Sequence, residues 1–149
     1  MDDTLDVDRI VVGVDGSDSS VDALRYAERL ADAFDAPLEA LITWTFPLAA
    51  GMPPMAGWYP EQIAADDLDE AIRRAFGDSP PDPLTRRVLG GPAAQTLIEV
   101  SKSCGMLVLG SRGRGGFLGL LLGSVSAACA EHAHCPVLIV HPRTAAQES

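Results

Sequence analysis

No stretch of this chain is both long enough and apolar enough to span a bilayer. The longest candidate, Phe117 to Ala130, is about 14 residues and is broken by Gly119, Gly123, Ser124 and Ser126, short of the ~20 apolar residues a spanning helix needs. The N-terminus, Met1-Asp2-Asp3-Thr4-Leu5-Asp6, carries no apolar run and does not read as a secretory signal. Basic residues are few: 11 Lys and Arg against 21 Asp and Glu leave a formal charge of −10. That deficit argues against a nucleic-acid binder, which needs basic surface to replace phosphate counterions. It argues equally against docking on an anionic membrane. Cysteine is limited to Cys104, Cys129 and Cys135, an odd count without the spacing of a disulfide framework. Three reduced thiols in a cytoplasmic protein are the expectation. Internal repeats and low-complexity segments are also missing.

What is present is ordinary globular composition, 47% hydrophobic and 21% charged over 149 residues. This predicts a single domain over residues 1–149, with 1–8 and 142–149 as flexible tails. Short apolar runs alternate with helical patterns. Ile10-Val11-Val12-Gly13-Val14 is a continuous, mostly β-branched run, the signature of a strand covered on both faces. A turn at Asp15-Gly16-Ser17-Asp18 leads to a helix from about Ser19 to Phe34. Ala23, Ala27, Leu30, Ala31 and Phe34 form its apolar face. Leu38 to Trp44 reads as a second strand, its start exposed because of Glu39. Glu61 to Phe76 reads as a second helix anchored by Ile63, Leu68, Ile72 and Phe76. Leu84 to Leu89 reads as a strand near a sheet edge, given Thr85, Arg86 and Arg87. A third helix follows Pro92 and runs to about Ser103. Met106 to Leu109 is a fourth buried strand, Gly123 or Ser124 to about Ala133 a fourth helix, and Pro136 to His141 a fifth strand. The order βαβαβαβαβ predicts a parallel sheet with right-handed crossovers and helices on both faces.

In open parallel sheets, ligands bind beyond the carboxyl ends of the strands, where the winding reverses. Two strand tips stand out. One is Gly13-Val14-Asp15-Gly16-Ser17. The other is Gly110-Ser111-Arg112-Gly113-Arg114-Gly115-Gly116, whose glycines let backbone approach a ligand closely. If the first and fourth strands are neighbours, both loops face one crevice. Further on, Gly123-Ser124-Val125-Ser126 opens a helix whose free amides and partial positive charge suit a phosphate. The hydroxyls of Ser124 and Ser126 add donors, and Arg112 and Arg114 add cations. The parts describe an anion site, best matched to a polyphosphate. It is not a Walker loop, because no glycine-lysine-serine/threonine follows. It is not the dinucleotide fingerprint, which would sit after the first strand.

The spacing Gly110-x2-Gly113-x9-Gly123-Ser124 resembles the nucleotide motif of the universal stress protein family. Val12-Gly13-Val14-Asp15-Gly16-Ser17 resembles that family's first strand and aspartate, and His134-Cys135-Pro136-Val137-Leu138-Ile139-Val140 its final strand. The resemblance covers nearly the whole chain. It implies a Rossmann-like α/β fold, an open five-stranded parallel sheet of order 3-2-1-4-5. It also implies an ATP site, with Mg2+ among the phosphates. Carried over residue by residue, Asp15 would point at the adenosine part, and Gly13 and Val14 would line that pocket. Thr43 would offer backbone groups to the adenine edge. Gly110 and Gly113 would cradle ribose and the first phosphates. Gly123, Ser124, Val125 and Ser126 would donate to the outer phosphates, and Arg112 would help neutralise them. The resemblance further implies a homodimer through the edge strand Val137–Val140, with a protein partner of unknown identity. One departure is visible: the family commonly has alanine-aspartate before the fourth strand, where this chain has Cys104-Gly105.

Other readings stay open at this stage. Asp15 is also placed to fix the turn, and Ser17 and Asp18 to cap the helix. His132, His134 and Cys135 lack the spacing of a zinc site. No histidine or carboxylate lies inside the phosphate segment to act as a base, so an efficient ATPase is not expected, although slow hydrolysis is an alternative. Binding of cyclic AMP is another. The stretch from Thr45 to Pro60, rich in aromatics and proline, would serve as a lid, a partner surface or ordinary packing.

Overall fold

Residues 8–45, 59–113 and 122–142 are described by a computed structural model. Most of the expected tails and of the Thr45–Pro60 stretch, together with Arg114, Gly115 and Gly116, lie outside the described residues. The elements run β1 (Ile10–Val14), α1 (Asp18–Phe34), β2 (Leu38–Trp44), α2 (Pro60–Phe76), β3 (Leu84–Gly90), α3 (Ala93–Val100), β4 (Met106–Gly110), α4 (Ser124–His132) and β5 (Val137–Val140). A short 3-10 turn at Ser101–Ser103 continues α3, so the third helix is tighter at its end than its sequence suggests.

All strands pair in parallel in the order β3-β2-β1-β4-β5. The central strand β1 is paired on both sides, with Ile10 opposite Leu38 of β2 and Met106 of β4. Because side chains alternate along a strand, each strand feeds two cores. Ile10, Val12 and Val14 pack with Ala40, Ile42 and Val108 beneath α1 and α2. Val11, Leu41, Leu107 and Leu109 pack on the other face with Leu97 of α3 and Cys129 of α4. The continuous apolar run at Ile10–Val14 reflects these two covered faces. Gly13 fits the second core because a Cβ there would come within 2.6 Å of Leu109 Cδ2.

Local signals set the helix ends. Ser17 is the N-cap of α1, and its side chain accepts from Ser20 N–H. Asp35 closes α1 in the left-handed region at φ 53°, and its N–H reaches back to the last turn. Pro60 opens the first turn of α2, where its missing N–H costs nothing.

Three expectations change on folding. Glu39, read as marking an exposed strand start, is buried at 4% exposure. Its carboxylate lies 2.9 Å from an Arg9 nitrogen and 3.4 Å from an Arg87 nitrogen, and these two guanidiniums replace the water it loses. Phe34, placed on the apolar face of α1, is 43% exposed because it sits in the last turn of the helix. Ile63, read as a core anchor of α2, is 47% exposed and borders the cleft described next. Among the described residues, no helix is long and apolar enough to cross a membrane.

Candidate functional site

A cleft of about 720 Å³ opens at the carboxyl ends of β1, β2 and β4, within the usual size of small-molecule sites. It forms at the point where the chain leaves β1 to one side and β4 to the other. Gly13, Val14, Asp15, Thr43, Gly110, Arg112, Gly113, Gly123, Ser124, Val125 and Ser126 all line it. The fold thus gathers into one crevice the residues that the sequence places in four separate segments.

The two glycine-bearing segments meet directly. Gly123 N–H donates to the Ser111 carbonyl at 2.6 Å. A Cβ at Gly123 would lie 3.4 Å from both Arg112 Cα and Gly113 N. Ser17 Oγ donates to the Arg112 carbonyl at 3.5 Å, linking the β1 loop to the same strand tip. A Cβ at Gly123 would sit in ordinary van der Waals contact with this loop, so the two segments are packed against each other.

At the mouth of α4 the backbone is poised for an anion. Gly123 is the N-cap, and no side chain caps the helix. The first backbone bond into the helix is Ala127 N–H to the Gly123 carbonyl, at 2.9 Å. The amides of Ser124, Val125 and Ser126 therefore precede the intrahelical ladder and carry the positive end of the helix dipole. The Ser124 residue is exposed, so its hydroxyl is available to a ligand. The Ser126 hydroxyl takes a different part. It is buried, within 3.0 Å of the Ser111 carbonyl and 3.1 Å of the Gly123 carbonyl, and it stitches the helix start to the β4 tip.

Asp15 has two roles in the structure. Its Oδ1 accepts from Ser17 N–H at 2.9 Å, fixing the turn into α1. Its Oδ2 lies beside Gly113, 2.6 Å from where a Cβ would stand. Ser17 caps α1, as the sequence suggested, whereas Asp18 lies in the first turn of the helix and pairs with Arg74 of α2. Arg74 also donates to the Gly16 carbonyl at 3.2 Å, so α2 holds the β1 loop from outside the cleft.

The structure adds lining residues that sequence reasoning missed. Ile63, Ala64 and Asp67 bring one face of α2 to the cleft, and Trp44 and Thr45 extend the tip of β2. Leu41, Ile42, Leu97 and Leu109 add apolar surface. The result is an apolar chamber beside a backbone-rich anion cradle, with one cation (Arg112) and two carboxylates (Asp15 and Asp67) among the described lining residues. Such a division suits a ligand with a flat, largely apolar part and an anionic tail. Nothing in the sequence of α2 marks Asp67, because an acidic residue on a helix usually faces solvent.

A model of the universal stress protein family matches residues 6–141. The chain belongs to that family. A universal stress protein of Mycobacterium tuberculosis is 32% identical over 142 residues, covering 89% of this chain and 47% of its own length. One of Mycolicibacterium smegmatis is 37% identical over 136 residues, covering 90% of this chain and 46% of its own. This chain spans about half the length of these mycobacterial relatives. A universal stress protein of Methanocaldococcus jannaschii is 29% identical over 137 residues, covering 89% of this chain and 81% of its own.

Solved members of the family share the architecture. The universal stress protein UspA of Lactobacillus plantarum superposes with a TM-score of 0.68 at 21% identity, over 90% of this chain and 97% of that one. A universal stress protein crystallised in complex with cAMP superposes at 0.60 and 29% identity, over 91% and 97% of the two chains. The Rossmann-like α/β sheet of order 3-2-1-4-5 is common ground with these structures.

Proposed function

We propose that this universal stress protein binds ATP in the cleft and acts as a nucleotide-dependent regulatory module rather than as an efficient catalyst. The observation that carries the reading is the meeting of the 110–113 segment with the uncapped start of α4 at one cleft. Backbone amides on both sides of a phosphate chain, with Arg112 beside them, fit an anionic tail. The apolar lining from β2, α2 and α3 fits a purine. Thr43 stands at the end of β2, where backbone groups reach a base edge, and Asp15 stands between the two regions. Mg2+ would enter with the phosphates, held by their oxygens, by water and by the Ser124 hydroxyl.

The phosphate segment contains no histidine or carboxylate to orient a water, which favours slow turnover or none. Regulation then requires that ATP bind two states of the protein with different affinity, and that a partner protein distinguish them. We place the protein in the cytoplasm, as a homodimer paired through β5. That edge strand is apolar and only partly covered, which invites a second copy.

Cyclic AMP is the alternative ligand, favoured by the crystal structure of a 29% identical family member in complex with cAMP. Mass spectrometry of the purified protein after denaturation, followed by calorimetric titration with ATP–Mg2+ and with cAMP, separates the readings. Co-purified ATP, or tighter binding of ATP than of cAMP, is expected. Tighter binding of cAMP would replace ATP as the ligand, and no binding of either would overturn the proposal.

A further inference from the structure

At the end of the sheet opposite the cleft, two thiols meet. Cys104 lies just before β4 and Cys135 just before β5, and their Sγ atoms are 3.8 Å apart. The backbone around them is pinned. Gly105 N–H donates to the Arg9 carbonyl at 2.8 Å and Leu107 N–H to the Pro136 carbonyl at 2.9 Å. On the far side, His134 N–H donates to Ser101 Oγ at 2.9 Å. The thiols are therefore neighbours by construction of the sheet, since β4 and β5 pair with Leu107 opposite Val137.

We propose that Cys104 and Cys135 are a reversible redox pair that closes to an intramolecular disulfide on two-electron oxidation by a hydroperoxide. The sulfurs already touch at 3.8 Å, and a disulfide would bring them to ~2.05 Å.

The two thiols divide the work. Cys104 is buried and Cys135 is partly exposed, so the oxidant meets Cys135 first. Cys135 loses its proton to solvent, and its sulfur attacks one oxygen of hydrogen peroxide. The O–O bond breaks, the departing hydroxide takes up a proton as water, and Cys135 becomes a sulfenic acid. The Cys104 sulfur then attacks the Cys135 sulfur. The S–O bond breaks, and the hydroxyl leaves as water with the Cys104 proton. Two electrons pass from the two thiols to one peroxide, which ends as two waters. Burial raises the Cys135 thiol above its ordinary range and pushes Cys104 to about 12. Both thiolates are scarce at neutral pH, so closure is slow and follows sustained rather than brief oxidation.

The bond would join positions 31 residues apart. The segment between them holds β4, the 110–113 loop and α4. Closing it restricts the unfolded chain and raises the unfolding midpoint by about 5–10 °C. It leaves the cleft unaltered, because the thiols sit at the opposite ends of the strands. This proposal does not depend on the nucleotide reading.

The test is peroxide treatment of the whole protein, followed by alkylation, intact mass and peptide mapping without reduction. The expected product has lost two hydrogens, links the Cys104 and Cys135 peptides, and keeps Cys129 as a free thiol. Dithiothreitol restores the starting mass. Cys104→Ser under the same treatment should lose the link and leave Cys135 trapped by dimedone, a reagent for sulfenic acids. Oxygen added to Cys135 with Cys104 still free in the wild-type protein would overturn the proposal. A Cys129–Cys135 link, a bond between two chains, or no reaction after prolonged peroxide exposure would do the same. The wild-type map decides the matter even if the variant does not fold.

Discussion

The carboxylate of Asp15 rests against the backbone of Gly113: Oδ2 stands 2.6 Å from the point a Cβ at residue 113 would occupy. The two residues are far apart in sequence and belong to different strand tips, joined only because β1 and β4 are paired. Gly113 is thus more than a flexible joint. Its missing side chain is the space in which Asp15 sits.

That contact predicts an overlap between two substitutions. Gly113→Ala pushes aside the end of a flexible side chain, so the fold should survive while Asp15 loses its position. Asp15→Ala removes the carboxylate itself. Each should weaken ATP binding about tenfold, roughly 1.4 kcal/mol. The double variant should be little worse than either single one, because both remove the same placed group. Calorimetric titration of the four proteins checks this, and fully additive losses would show that Gly113 and Asp15 act separately.

Gly110 behaves differently. A Cβ there would come 2.8 Å from the backbone carbonyl carbon of Ser19 and closer still to the Ser19 hydroxyl. Backbone cannot swing away as a carboxylate can. Gly110→Ala should therefore destabilise the fold by about 1–3 kcal/mol through overpacking between α1 and β4. Urea unfolding measures this, and an unchanged midpoint would contradict the close approach of the two elements.

Ser124 and Ser126 should separate in binding and stability. Ser124→Ala removes an exposed hydroxyl at the helix mouth. It should weaken ATP binding several-fold, by about 0.5–1.5 kcal/mol, while leaving cAMP binding and the unfolding midpoint unchanged. Ser126→Ala removes a buried bond to the Ser111 and Gly123 carbonyls and should lower stability by about 1 kcal/mol. Parallel titrations and melts of the two variants distinguish a ligand-facing hydroxyl from a structural one.

The buried thiols make stability fall in alkali. Burial raises Cys104 from 9.0 to about 12 and Cys129 from 9.0 to about 11. Between those values the unfolded chain releases protons that the folded chain retains, so the folded state binds more protons and loses stability as pH rises. Under reducing conditions the contribution is intact below about pH 9 and is lost progressively toward pH 12. Cys104→Ala should flatten this slope. Urea midpoints at stepped pH values give the answer, and an identical slope in the variant would remove Cys104 as its source.

Much of the lining of the candidate cleft was legible in the residues because backbone and small residues form it. Glycines at 110, 113 and 123 and serines at 124 and 126 mark a close-approach loop and a helix start, and both are local properties. The continuous apolar run at Ile10–Val14 marked a strand with two covered faces. Ile63 and Glu39 were less legible. Periodicity assigns Ile63 to the apolar face of α2 but does not show that this part of the helix borders an open cleft. The charge of Glu39 suggests solvent, and only Arg9 and Arg87, brought in from the chain before β1 and from β3, make its burial tolerable. Asp67 carries no sequence mark at all, because its place in the cleft depends on how α2 packs over β2.

By itself the sequence determined the alternation of strands and helices, the positions of the tight turns and the uncapped mouth of α4. Hydrophobic period, glycine freedom and capping act over a few residues, and a single chain displays them directly. The strand order came with the family resemblance, and only the tertiary structure decided which side chains meet at the strand tips. It set Asp15 against Gly113, brought Ile63 and Asp67 to the cleft, and placed Cys104 beside Cys135. Those pairings arise from crossovers that bring distant segments side by side, and no local pattern records their outcome.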